Sequence, residues 1–215
     1  MAGNSIRYGK RYNKNFEVIH GKHIVQYSLD IFNQNERVDD IVLVVKKGEQ
    51  VGHLLERAAL AKKVEVVGGG ATRRESVYAG IKATAADIVL THDGARPLVK
   101  SRYIDELLGR MSAYKGAAVG VKAKDTVKIA DEKQVVRQTT LRSHTWMIQT
   151  PQCFHRNTLL EAHEQAGDGT EVTDDCMLLE QMGLDVVIVE GEYSNIKLTT
   201  IEDYDIISRL VDTGF

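Results

Sequence analysis

The chain has 215 residues, with 28 Lys and Arg against 30 Asp and Glu and a formal charge of −2. That length suits one large α/β domain with a full core, and the near-neutral balance excludes a general attraction to nucleic acid or to an anionic membrane surface. The sequence carries neither a signal peptide nor a run of about 18 apolar residues, so the expectation is a soluble, cytoplasmic protein.

Residues 2–16 read as a loop in which Ala2 and Gly3 are followed by Arg7, Lys10, Arg11 and Lys14, with no acid from Arg7 to Lys14. A local cluster of cations next to glycine suits a phosphate-rich small ligand better than a polymer, because backbone N–H groups reach phosphate oxygens where no Cβ intervenes. From Gly21 the pattern turns helical, with Val25, Leu29 and Phe32 on one face. Ile41–Val45 is a continuous apolar run of strand length, as in a parallel sheet covered on both faces. A helix at about 51–61, a strand at 64–67, a helix at about 76–86 and a strand at 88–91 follow, and this alternation is the mark of βαβ units. The turn Gly68-Gly69-Gly70 joins a strand to a helix and can bring backbone amides close to a ligand.

The segment from Ile88 to Val99 drives a short strand into His92-Asp93-Gly94-Ala95-Arg96-Pro97. In open α/β sheets ligands bind beyond the carboxyl ends of the strands, so Asp93 is a candidate metal ligand and Arg96 a candidate anion contact. Ser101 is the expected N-cap of a core helix carrying Ile104, Leu107, Leu108 and Met111, and Ala117–Val121 is the next strand. Residues 122–148 break the alternation: Val127 and Ile129, then Val135, flank the polar tetrad Ala130–Lys133 and predict a hairpin arm. Its apolar surface is thin, and a lone two-stranded ribbon is marginal in water, so a second chain is expected to pack on it. Thr158–Ala166 is a helix. Thr173 is the expected cap of another, whose first turn holds Asp174 and Asp175; capping accounts for both acids, and neither is assigned to catalysis. Val186–Val189 is a strand, Asn195–Thr199 an expected edge strand presenting Lys197, and Thr200 with Asp203 a capping box.

The pattern as a whole predicts one domain over residues 1–215, a doubly wound, mostly parallel Rossmann-like sheet with a β-hairpin arm. Cys153 and Cys176 have no metal-ligand spacing and are expected to be idle thiols. His20-x-x-His23 lacks a third ligand, which argues against zinc, and no Gly-x-Gly-x-x-Gly follows a first strand, which argues against a dinucleotide-dependent dehydrogenase. One strand-end acid surrounded by Arg7, Lys14, Arg96 and Lys197 fits nucleotidyl transfer, where the barrier lies in charge build-up and alignment.

The stretch His92–Pro97 resembles the His-Asp-Ala-Ala-Arg-Pro signature of the 2-C-methyl-D-erythritol 4-phosphate cytidylyltransferase family, with Gly94 in place of alanine. Further matches follow in the family's order: Gly69-Gly70 with Arg73 and Ser76, Asp125–Lys128, Gln149–Gln152, Thr173–Asp175 and Asn195–Thr199. The loop at 2–14 retains Gly3, Arg7 and Lys14, while Ser5 and Asn13 replace a glycine and a proline. The resemblance implies that Arg7, Lys14 and Lys197 are catalytic, that Ala2, Gly3, Gly69, Gly70, Arg73 and Ser76 bind the nucleotide CTP, that Arg96, Thr126 and Arg142 bind a polyol phosphate, and that Asp93 holds Mg²⁺ or another divalent cation. It also implies a homodimer through the arm, and an apolar strand ahead of residue 2: either natural residues lie outside this sequence or the sheet starts incomplete. A ribitol 5-phosphate cytidylyltransferase and a catalytically idle nucleotide-binding protein are the alternative expectations.

Overall fold

The computed structural model describes residues 13–58, 60–167 and 172–214. After a 3-10 turn at Lys14–Phe16 come β1 (Val18–Ile19), β2 (Lys22–His23), α1 (Ile24–Gln34), β3 (Asp40–Val45), α2 (Gly52–Ala58), β4 (Lys63–Gly68), α3 (Arg73–Lys82), β5 (Ile88–Thr91) and α4 (Ser101–Arg110). The chain continues through β6 (Gly116–Lys122), β7 (Lys128–Ala130), β8 (Val136–Thr139), a 3-10 turn at Arg142–His144, β9 (Trp146–His155), α5 (Arg156–Gln165), α6 (Cys176–Gln181), β10 (Val186–Glu190) and α7 (Ile201–Asp212).

The expected α/β architecture is present. β3 and β4 pair in parallel, and a four-stranded sheet runs β10-β6-β9-β5. There β10 is parallel to β6, while β9 runs against both β6 and β5. Alternation sorts the side chains between two helical layers. Leu43 and Val45 of β3 cluster with Val25 and Leu29 of α1, and Ile88 and Leu90 of β5 with Phe32 of α1 and Leu107 of α4. On the opposite face Val89 and Phe154 pack with Ile81 of α3, Leu159 of α5 and Leu178 and Leu179 of α6. β6 opens with Gly116 because α6 leaves no room for more: a Cβ there would lie 2.8 Å from Leu179 Cδ2.

Helix ends follow local chemistry, with two corrections, and one expected strand is absent. Thr200 and Asp203 form the expected capping box of α7, and Thr72 with Glu75 forms another on α3. Ser101 does not cap α4; the N-cap is Lys100, and Ser101 Oγ instead accepts from Asn35 Nδ2 at 2.9 Å. Thr173 does not cap α6, which begins later, at Cys176; there Asp174 Oδ1 accepts from Met177 N at 3.1 Å. Residues 195–199 are irregular and not an edge strand, because their backbone tie to the body is Leu198 N donating to Ala95 O at 2.8 Å, one bond and not a ladder.

The arm is the predicted hairpin. β7 and β8 pair antiparallel with a bulge at Ala130, and Ile129, Val136 and Leu141 are 49%, 55% and 64% exposed. Both thiols are buried and free, and burial pushes Cys153 up to about 12. Among the described residues no helix is long and apolar enough to cross a membrane.

Candidate active site

β5 delivers its site residues through a turn closed by its own backbone, Arg96 N donating to Asp93 O at 2.9 Å. Thr150 from β9 fixes that turn, since its Oγ1 accepts from Asp93 N at 3.0 Å and lies 3.0 Å from His92 Nδ1. Burial lowers the His92 pKa to about 4 in spite of the neighbouring Asp93 carboxylate. The ring is therefore a neutral spacer behind the turn.

Lys197 comes from the far end of the chain. Asn195, fully buried, donates through Nδ2 to Gln149 Oε1 at 3.1 Å and Thr150 O at 3.0 Å, and its own carbonyl accepts from Arg96 Nη1 at 2.7 Å. These bonds, with Leu198 N to Ala95 O, lock the segments around Asp93, Thr150 and Lys197 together, and the Lys197 ammonium stands 2.7 Å from Asp93 Oδ2. Burial by itself would raise the Asp93 pKa; Lys197, then Arg96 and Arg73, outweigh it and hold the carboxyl at about 2. Arg96 is largely buried, with Nε 3.8 Å from Asp93 Oδ2; it braces the turn and is not among the residues that line the cavity.

The opposite wall is the start of α3. Glu75 folds back so that its Oε2 accepts from Ala71 N at 2.6 Å, and Gly70 makes room: a Cβ there would sit 2.3 Å from Glu75 Cβ. Arg73 follows the cap and is held in a bidentate pair by Asp175, Nη1 to Oδ1 at 2.9 Å and Nη2 to Oδ2 at 2.8 Å. Thr91 Oγ1 adds a third bond to Asp175 at 3.0 Å, and the aspartate is fully buried. Asp174 accepts from Gln152 Nε2 at 3.1 Å. The sequence reading missed Asp175, because a helix-cap pattern explained it locally and its partner lies 102 positions away.

Asn13, which departs from the family's proline, has its own task. Its Oδ1 accepts from Asn15 N at 3.1 Å, and its Nδ2 donates to both Glu49 carboxylate oxygens at 3.2 Å, which fixes the turn that begins at Lys14. A single cavity of about 890 Å³ is lined by Lys14, Arg73, Ser76, Asp93 and Lys197 together. Gly69 and Gly70 lie just ahead of the residues that line it, which begin on this turn at Ala71. Thr126 and Arg142 are exposed on the arm and do not line it. Ala2, Gly3 and Arg7 lie outside the described residues.

As a metal site the cavity offers the ionised Asp93 carboxylate at the end of β5, and no group of three His, Cys, Asp or Glu side chains that could hold an ion occurs among the described residues. Asp93 Oδ2 is engaged by Lys197, and no hydrogen bond among the described residues reaches Oδ1. One available carboxylate oxygen fits Mg²⁺, which keeps several waters and is held by one or two carboxylates plus substrate phosphates.

A doubly wound α/β fold that brings Lys14, Arg73, Lys197 and the ionised Asp93 carboxylate to a single cleft at the end of β5 defines an α/β nucleotidyltransferase. The model of the family described as IspD, 2-C-methyl-D-erythritol 4-phosphate cytidylyltransferase, matches residues 1–212. A cytidylyltransferase of that name from Caldanaerobacter subterraneus is 42% identical over 208 residues, covering 94% of this chain and 92% of the relative, and one from Clostridium botulinum is 42% identical over 207 residues, covering 94% and 90%. The crystal structure of 4-diphosphocytidyl-2C-methyl-D-erythritol synthase from Anaerococcus prevotii superposes with a TM-score of 0.83 at 32% identity, over 91% of this chain and 88% of that one. The chain belongs to the 2-C-methyl-D-erythritol 4-phosphate cytidylyltransferase family.

Proposed function

We propose that the cleft at the end of β5 performs the family's reaction, transfer of CMP from CTP to 2-C-methyl-D-erythritol 4-phosphate with release of pyrophosphate. The observation that carries this reading is the convergence of Lys14, Arg73, Asp93 and Lys197 on one cavity. An oxygen of the sugar-alcohol phosphate is already an anion, so the protein needs to align it with the α-phosphate and to offset the charge that accumulates there. Lys14 and Arg7 bind the triphosphate and stabilise the pentacovalent transition state, with Lys197 acting on the same centre from the Asp93 side. Arg73 and Ser76, with the Gly69-Gly70 turn, hold the cytidine end. Arg96, Thr126 and Arg142 grip the incoming phosphate, where the planar guanidinium fork suits bidentate contact.

Asp93 is the residue that holds Mg²⁺, and its strongly depressed pKa keeps it ionised at any working pH. When bound, the cation neutralises phosphate charge. Thr126 and Arg142 stand on an exposed arm away from the cleft, which supports a homodimer whose arms reach the partner's site; the reading also places the enzyme in the cytoplasm.

Purified protein incubated with CTP, methylerythritol phosphate and Mg²⁺ is expected to release pyrophosphate. Faster release with ribitol 5-phosphate would move the assignment to another polyol phosphate. CTP binding with no turnover on any polyol phosphate would leave an idle nucleotide-binding protein.

A further inference from the structure

Lys197 stands in a stretch without helix or strand, residues 191–200. No ladder holds its backbone, so its place beside Asp93 depends on how the loop ahead of it is pinned. That loop leaves β10 flush against β6: Gly191 N donates to Gly120 O at 2.8 Å, and a Cβ on Gly191 would lie 2.5 Å from Val119 Cγ1. The next two side chains reach two different parts of the body.

Glu192 reaches the start of α4. Its Oε2 lies 2.7 Å from Lys100 Nζ, and its Oε1 accepts from Arg102 Nη2 at 3.0 Å. The backbone carbonyl of the same residue accepts from Gln149 Nε2 and from Asn195 N, each at 3.0 Å. Tyr193 reaches the last residue of β6, where the arm departs. Its hydroxyl donates to Lys122 O at 2.8 Å, and the Lys124 ammonium lies 3.6 Å from the ring centroid. Asn195, next in the path to Lys197, is the residue whose buried bonds reach Gln149, Thr150 and Arg96.

Glu192, Lys100 and Arg102 are partly open to water and Tyr193 is exposed. Ion pairs in such a setting are screened and add little to the stability of a fold, so the effect of these attachments is geometric. Lys100 lies at the exit of the turn that carries Asp93, and its pair with Glu192 therefore ties the chain beyond β5 to the chain beyond β10. Those are the two segments whose Asp93 and Lys197 side chains meet at 2.7 Å. A catalytic group displaced by about 1 Å can lose about 10² in rate, so weak contacts suffice when they act on placement.

We propose that Glu192 and Tyr193 are positioning residues for Lys197: pinned to α4 and to the root of the arm, they set, through Asn195, where its ammonium stands. The inference rests on the reading of the cleft as the site of transfer, which gives Lys197 a reacting centre to act on.

The test is the full chain carrying Glu192→Ala and Tyr193→Phe together, which removes the carboxylate and the hydroxyl. For pyrophosphate release kcat is expected to fall about tenfold, with KM for CTP changed less than about twofold and the urea midpoint held. In a Lys197→Ala background the same two substitutions should change the remaining kcat by less than about twofold, because contacts that act through Lys197 have nothing left to place. Unchanged kcat in the chain that keeps Lys197, or an equal fall in the chain that lacks it, would overturn the proposal. Amide hydrogen exchange over residues 193–199 needs no turnover and is expected to quicken at least about threefold in the doubly substituted chain; unchanged exchange would overturn the proposal as well. Wild-type protein that releases no pyrophosphate with any polyol phosphate, while its exchange still responds to the substitutions, would sink the functional reading alone and support the pinning of Lys197.

Discussion

The two parts of the sheet share a sequence signal and differ in what they bury. Ala117, Ala118 and Val119 of β6, with Cys153 and Phe154 of β9, are between 0% and 1% exposed, whereas Val66 of β4 is 42% exposed and Ile41, Val42 and Val44 of β3 are half-buried. An apolar run shows that a strand is suited to burial; how far it is buried depends on the strands beside it. β6 lies between β10 and β9 with helices on both faces, while among the described residues β3 pairs with β4 alone and borders the cleft on the other side. The catalytic candidates collect on this seam, where packing is incomplete and a substrate has room.

The comparison is broken most directly by truncating one residue in each part. Phe154→Ala is expected to cost about 3–5 kcal/mol of stability, the usual loss for a fully buried aromatic side chain, and Val66→Thr to stay within about 0.5 kcal/mol. Urea denaturation of the two variants measures both. Equal losses would mean that β4 is as tightly packed as β9.

Asp175→Asn tests the ion pair that ties the parts together across the seam. The amide preserves shape but leaves the Arg73 guanidinium without its buried counter-charge, and breaking such a pair costs about 3 kcal/mol or more. Arg73 is also expected to lose its orientation, so KM for CTP should rise more than kcat falls. A variant that is less stable but keeps its KM would limit Asp175 to a structural role.

On the seam itself, Lys14→Ala is expected to lower kcat by about 10²–10³, the usual effect of removing one preorganised contact to the transition state, with a smaller change in KM. Normal kcat with raised KM would make Lys14 a ground-state contact. Asp93→Asn should weaken activity and Mg²⁺ dependence together, which a magnesium titration reads. It also has a stability signature in acid. The folded Asp93 pKa, about 2, lies below its ordinary value of 3.8, so its contribution is present above pH 4 and lost as pH falls towards 2. Acid unfolding of the Asn variant should lack that component.

How much was legible in the sequence follows the same division. The alternation of elements, the arm and the Thr200 cap were readable, because each rests on a local pattern; Asp93 and Lys197 were each singled out by a motif, but their direct 2.7 Å contact was not legible. Asp175 was not, since nothing local distinguishes a capping acid from one buried against an arginine on another element. The 195–199 segment read as a strand from its alternation, yet it is held by Asn195 side-chain bonds and one backbone bond, which composition does not reveal. Nor did the sequence show that Arg96 spends one guanidinium nitrogen on the Asn195 carbonyl.

The smallest expected effect separates the body from the arm. Lys14 lines the cleft, whereas Arg142 lies on the exposed arm, so in the proposed homodimer Lys14→Ala and Arg142→Ala should each abolish activity by a different route. If arms are exchanged, a mixed dimer pairs the intact body of the Arg142→Ala chain with the intact arm of the Lys14→Ala chain, and one of its two sites is whole. Random co-refolding makes half of the dimers mixed, so about a quarter of wild-type activity should return in a symmetric two-chain assembly. If each arm serves its own body, every site keeps one lesion and the mixture stays as inactive as its parents. Pyrophosphate release decides between the two, and heterodimers isolated on two affinity tags should show about half of wild-type activity, whereas an inactive heterodimer would confine the site to a single chain.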